Sequence, residues 1–203
     1  MTSSLTDRED LQIKSGSPST CLTVADLEQL QGILCEAHLD YQLELVDAKI
    51  IIIGPSDIVS SEIGAEFGRL LRNWVKPRKL GRVFESSGGF ILPNSNLTAP
   101  DVSFVTADRL KQSKRYFAEL VPDLVVEIKS QSDRLKPLRE KIQSFIELGA
   151  KVGILIDPDK RTVTIYTLTG EPVVLRDGDM ISIPELLPGW EVAVSELWPT
   201  DFE

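Results

Sequence analysis

Histidine occurs once in the 203 residues, as His38, and cysteine twice, as Cys21 and Cys35. One imidazole and two thiols spaced 14 apart cannot build a Cys/His zinc cage, a disulfide framework or a catalytic triad that needs a second histidine. Long apolar runs are also missing. The longest is Ile50 to Ile53, far short of the roughly 20 residues of a membrane span. The opening MTSSLTDREDLQ carries acids where a signal peptide carries bases and an apolar stretch, so neither export nor membrane insertion is expected and the reading is cytoplasmic. Aromatic residues make up only 6%, with no stacking pattern that would predict sequence specificity toward nucleic acid. What is present is a 42% apolar content, enough to form one core from most of the chain.

The net charge of -9 argues at first against a polyanionic partner, because basic groups neutralising phosphates supply most nucleic-acid affinity. The charge is unevenly spread. Residues 1–62 hold 3 basic and 11 acidic side chains, residues 63–141 hold 15 and 9, and residues 142–203 hold 4 and 11. A basic middle thus lies between acidic ends. Arg69, Arg72, Lys76, Arg78, Lys79 and Arg82 form a run with no acid among them, and Arg109, Lys111, Lys114 and Arg115 form a second cluster. Solvated faces are the plain reading of both.

Residues 1–20 are polar and aperiodic and read as a mobile tail, which leaves 21–203 as a single domain. Thr23 and Asp26 signal a helix start, and Val24, Leu27, Leu30 and Leu34 recur at helical spacing to about Leu39. Tyr41–Val46 and Lys49–Ile53 read as a hairpin turning at Asp47-Ala48. A helix capped by Ser60 or Ser61 carries the stripe Ile63, Phe67, Leu70, Leu71 and Trp74 and stops before Pro77. Gly81–Glu85 and Gly88–Leu92 suggest a second hairpin across Ser86-Ser87, and a strand follows at Asp101–Val105. Leu124–Ile128 is the apolar run of a central strand. A helix from Ser132 or Asp133 to Leu148, ended by Gly149, then leads to a strand at Lys151–Asp157, so a parallel pair is expected. Thr162–Leu168 and Glu171–Leu175 form a hairpin, and a final strand and short helical end follow Pro184. The fold class is α/β, an α+β arrangement with a mixed sheet.

Glu127 is the anomaly, a carboxylate inside the apolar strand VVEIK. Strand side chains alternate, so Glu127 and Lys129 share a face and Ile128 takes the other. One reading is an ordinary ion pair near a sheet edge. The other is a carboxylate for a hard cation beside a lysine that stabilises reacting oxygens, with a second acid from elsewhere. Asp101, in PDVSFV, lies 26 residues upstream at the start of a strand able to pair with the Glu127 strand. Asp157-Pro158-Asp159 and Asp177-Gly178-Asp179 lack the continuation of a calcium loop and read as turns.

The Pro-Asp followed by Glu-x-Lys resembles the PD-(D/E)XK nuclease signature. Longer stretches, HLDYQLELVDAKIIIIGPS, SEIGAEFGRLLRNWVKPRKLGRVFESSGGFILPNSNLTAPDVSFV and PDLVVEIKSQSDRLKPLREKIQSFIELGAKVGILIDPDKRTVTIY, are similar to the restriction-endonuclease family expanded in cyanobacteria, over about residues 38–195. The resemblance implies a restriction-endonuclease-like core with an added N-terminal helix and hairpin. It makes Asp101 and Glu127 metal-binding acids, Lys129 the catalytic lysine, and the backbone carbonyl of Ile128 a third ligand for Mg²⁺ or Mn²⁺. It matches Glu44 to an acid that completes the cluster, although Leu43 and Ala48 replace the family's usual Tyr and Gly. Glu66 is a competing acid on the first core helix, or a solvated one. Lys141 and Gln143 fall on the helix after the Glu-x-Lys strand, where family members often carry a lysine. There Lys141 would hold a phosphate, substitute for Lys129, or face solvent.

The implied activity is metal-dependent hydrolysis of DNA phosphodiester bonds, with the basic middle contacting the DNA backbone and a homodimer supplying two centres. The alternative is a non-catalytic DNA-binding or protein-interaction module on the same fold, which the acidic pI of about 4.8 favours.

Overall fold

The computed structural model of the protein describes residues 21–39, 41–110 and 116–200. The expected tail at 1–20 and the basic residues Lys111, Lys114 and Arg115 lie outside them. Thr23 and Asp26 cap the first helix reciprocally: the Thr23 N–H donates to Asp26 Oδ2 at 2.8 Å and the Asp26 N–H to Thr23 Oγ1 at 3.3 Å. Helix α1 runs Val24–Glu36 and buries Leu27. Strands β1 (Gln42–Val46) and β2 (Lys49–Ile53) form the expected hairpin, with φ of 49° at Asp47 and 59° at Ala48. A two-residue turn of this hand favours glycine. Here the Asp47 N–H donates to Asn96 Oδ1 at 2.9 Å, which anchors the turn without one.

Helix α2 spans Ile58–Val75 and is capped by Asp57, not by Ser60 or Ser61. Asp57 Oδ1 accepts from the Ser60 N–H at 3.0 Å, and Oδ2 accepts from the Gln131 N–H at 2.8 Å. One carboxylate thus starts the helix with one oxygen and ties it to a distant loop with the other.

Strands β3 (Gly81–Glu85), β4 (Phe90–Ile91), β5 (Leu97–Thr98), β6 (Val102–Thr106) and β7 (Leu124–Ile128) follow. The hairpin expected across Ser86-Ser87 does not form. β3 pairs with β6, whereas β4 pairs with β5 in a different sheet. The buried Phe90 ring meets Phe84 edge-on at 5.6 Å, so the two segments pack through side chains instead of joining a ladder.

Helix α3 (Leu135–Glu147) starts two or three residues later than expected. Asp133 is engaged just before it, where Oδ2 accepts from the Ser130 N–H at 2.8 Å and the Ser130 hydroxyl at 2.6 Å. Strands β8 (Val152–Asp157), β9 (Thr162–Thr167), β10 (Val173–Arg176), β11 (Met180–Ser182) and β12 (Glu191–Ala193) complete the chain, ending in a short 3-10 turn.

The central sheet is mixed, in the order β10-β9-β8-β7-β6-β3, with β7 and β8 parallel and the other neighbours antiparallel. A second sheet, β2-β1-β5-β4, holds the hairpin, and β11 pairs with β12. Val126, Ile128 and Ile154 face α2 and the C-terminal segment of Trp190 and Leu197. Val125 faces Phe145 of α3 on the other side. Gly153 on β8 lets α3 approach closely, because a Cβ there would overlap Ile142. Among the described residues no helix is long and apolar enough to cross a membrane.

Candidate active site

All five residues of β7 are buried, so its register decides what each side chain meets. Val102 of β6 lies opposite Val126, which places Asp101, one step before β6, across from Glu127. Asp101 Oδ2 accepts from the Ile128 N–H at 2.7 Å, and the two acids thereby join at the point where β6 and β7 part. A residue's N–H and C=O leave a strand toward the same neighbour, so the Ile128 carbonyl faces the Asp101 edge as well.

Glu44 arrives from the other sheet. It is 6% exposed on β1, and its Oε1 accepts from the Ala99 N–H at 2.8 Å. Lys141, at mid-length of α3, reaches the same place: its Nζ lies 3.0 Å from Glu127 Oε1 and 3.7 Å from Glu44 Oε1 and donates to the Ala99 carbonyl at 3.4 Å. The structure therefore brings Glu44, Asp101, Glu127 and Lys141 together.

Lys129 stands apart from them. β7 ends at Ile128, and the Lys129 N–H donates to the Ile156 carbonyl. Its Nζ pairs with Asp159 at 2.7 Å and donates to the Ser130 carbonyl at 3.0 Å, so it makes no ion pair with Asp101 or Glu127. Asp159, read from sequence as a turn residue, is thus the partner that reasoning missed; no local signal distinguishes it within Asp157-Pro158-Asp159. Glu66 pairs with Arg69 on the surface of α2, as a solvated helix glutamate does. Arg109, grouped by sequence with a basic cluster, lies 3.0 Å from the buried Asp123 in an internal ion pair.

Asp101 and Glu127 are tuned by their burial. It pushes Asp101 above its ordinary value, against the Ile128 N–H and the Lys141 charge. It pushes Glu127 up to about 7, opposed by Lys141 and reinforced by the charges of Asp101 and Glu44. Burial alone would lower the Lys141 ammonium, but Glu127 and Glu44 outweigh it and hold it above its usual value. Lys129 is also held above its usual value, by its hydrogen bond to Asp159.

A cleft opens beside this cluster. One wall is α2, where Ser61, Gly64 and Gly68 leave space; the other is β3 and the Ser86-Ser87 turn, and Asp101 and Ile128 lie at its floor. Among the described residues no three His, Cys, Asp or Glu side chains already form a metal cage. Lys141 supplies the positive charge where the acids meet. Glu127 Oε1 is buried without a hydrogen bond of regular geometry, with the Lys141 ammonium 3.0 Å away, and the groups of the cluster able to ligate a cation are all oxygens. That set fits a hard divalent cation in Lys141's company.

A search of curated proteins gives no match. A cyanobacterial protein from Anabaena variabilis, described as "a putative nuclease belonging to DUF820", aligns at a TM-score of 0.70 and 22% identity, covering 80% of this chain and 94% of its own. It shares the restriction-endonuclease-like fold. A part of the DrdV–DNA complex, 12% of that chain, aligns with 75% of this one at a TM-score of 0.42 and 17% identity. The family model Uma2 matches residues 24–195, so the chain belongs to the family described as "Putative restriction endonuclease".

Proposed function

We propose that the protein is a divalent-metal-dependent endonuclease that hydrolyses DNA phosphodiester bonds. The observation that carries this reading is the meeting of Glu44, Asp101 and Glu127 with Lys141 beside an open cleft. Asp101, Glu127 and the Ile128 carbonyl would hold Mg²⁺ or Mn²⁺, with Glu44 completing the acidic set. When bound, the cation lowers the pKa of its water and offers a counter-charge to phosphoryl oxygens. Asp101 is kept in place by the Ile128 N–H, and Glu44 by the Ala99 N–H, so neither needs to reorganise during a turnover. Lys141 balances the carboxylates and presents an ammonium to the negative charge that grows on the phosphoryl group. It stands where the family resemblance expects Lys129 to act. Lys129 would have to leave Asp159 to share that role.

Nicking of supercoiled plasmid in Mg²⁺ or Mn²⁺, repeated with Asp101→Ala and Glu127→Ala, tests the proposal. Metal-dependent cleavage lost in both variants is the expected result. Equal inertness of wild type and variants would put the non-catalytic module in its place.

A further inference from the structure

Helix α2 carries the cleft wall onward into a second groove. Arg72, Val83 and Phe84 border both, and beyond them the second groove is edged by Lys76, Lys79 and Arg82. Local structure puts these four cations in one strip. Arg72 and Lys76 are four apart, on one face of the end of α2. Lys79 follows in the connecting turn at φ 54°, its N–H donating to the Lys76 carbonyl at 3.2 Å. Arg82 comes just after Gly81, where any Cβ would overlap the Val105 carbonyl; only glycine lets β3 lie this close to β6.

Among the described residues no acidic side chain lines this groove, and none of the four cations has a carboxylate within ion-pair distance. Their neighbours are engaged: Arg69 holds Glu66, and the Arg78 guanidinium stacks 3.4 Å from the centre of the Trp74 ring. A solvated face would leave such cations scattered. Here, in a chain of net charge -9, they line one concave groove that is continuous with the cleft that reaches Asp101. A concave strip of one sign concentrates its field and calls for a polyanion from outside the chain.

We infer that this groove takes the phosphodiester backbone of duplex DNA beside the cleavage point, with Arg72, Lys76, Lys79 and Arg82 meeting successive phosphates. The inference rests on the proposed action on DNA and adds the track by which the duplex enters. Phosphate contacts of this kind fix register without reading bases, so the track positions any sequence equally.

The test is fluorescence anisotropy of a short labelled DNA duplex in EDTA, over a series of salt concentrations. Binding weakens linearly in log salt, with a slope that falls by about 0.9 for each phosphate contact removed. The triple variant Lys76→Ala/Lys79→Ala/Arg82→Ala is expected to lower the slope by about 2–3 and to weaken low-salt binding by about tenfold or more. Lys136→Ala, at an exposed position in the first turn of α3, should change neither. If the triple variant melts early, Lys79→Ala and Arg82→Ala alone should each lower the slope by about 1. A triple variant with the affinity and slope of wild type overturns the inference, as does a wild type that binds no duplex. The two readings fail separately: wild type that binds with this slope but never cuts keeps the groove and loses the hydrolase, whereas a triple variant that cuts and binds as wild type does the reverse.

Discussion

Lys141 Nζ lies 3.0 Å from Glu127 Oε1, and this contact joins the last helix of the core to its central strand at the acidic cluster. Lys129, only two residues from Glu127, is turned to Asp159. The two lysines should therefore differ sharply on substitution. Lys141→Ala leaves Glu127 buried without its partner, a loss that costs about 3 kcal/mol or somewhat less because Lys141 is partly open to water. Plasmid cleavage should fall at least about 100-fold, as when one charge-stabilising donor is lost. Lys129→Ala breaks a pair whose Asp159 is exposed and should cost under about 1 kcal/mol, with a smaller fall in cleavage. The opposite ranking would return the catalytic lysine to the strand.

The raised Glu127 carboxyl gives stability a definite pH dependence. An unfolded glutamate ionises near about 4.3, whereas Glu127 in the fold ionises at about 7. Between these values the native chain binds a proton that the unfolded chain has lost, so stability falls as pH rises through this window and then levels off. The loss is at most about 4 kcal/mol. Asp101, shifted the same way, adds to it. Thermal melts in EDTA should show a Tm that declines from about pH 5 to about pH 7.5, with the decline reduced in Glu127→Gln. Mg²⁺ favours the ionised carboxylates, so its stabilising effect should grow over the same interval. Parallel profiles for wild type and Glu127→Gln would mean that Glu127 does not titrate there.

Gly153 is where helix and sheet come nearest. Gly153→Val drives a side chain into Ile142, next to Lys141, and should cost about 1–3 kcal/mol in urea unfolding. Cleavage should drop with it, since the helix that carries Lys141 must move. Adding Ile142→Ala should restore part of both. A Gly153→Val protein with wild-type stability would show that α3 is free to shift.

Capping by Asp57 is tested by comparing two neighbours. Asp57→Ala removes the cap of α2 and leaves the Gln131 N–H without its partner, for a loss of about 2 kcal/mol in chemical denaturation. Ser61→Ala, exposed and uninvolved, should stay within about 0.5 kcal/mol of wild type. Equal losses would contradict the assignment.

Where the sequence was legible, short-range rules were enough. The apolar run at Leu124–Ile128, the turn at Asp47-Ala48 and the parallel pair of β7 and β8 follow from period and punctuation, and the structure has all three. The convergence of Asp101 and Glu127 followed from a strand start and a central strand that pair. The failures share a cause. Alternation gives Lys129 the face of Glu127 only while the strand continues, and β7 stops one residue earlier. The hairpin across Ser86-Ser87 looked local, but the competing partners of β3 and β4 lie elsewhere in the chain. Asp57 does not stand out in sequence because its second partner, Gln131, is 74 residues away. Lys141 is one candidate among others in sequence, since a long side chain on a helix does not declare whether it points to solvent or across to Glu44.

The cluster draws Glu44 from the hairpin sheet, Asp101 and Glu127 from the central sheet, and Lys141 from the helix that crosses it. No contiguous stretch holds the set. During synthesis and folding, a chain whose main sheet is formed but whose hairpin has not docked has a recognisable shape and no complete centre. On the proposed function, a chain that lacks any one of these elements has no complete centre and would leave DNA uncut.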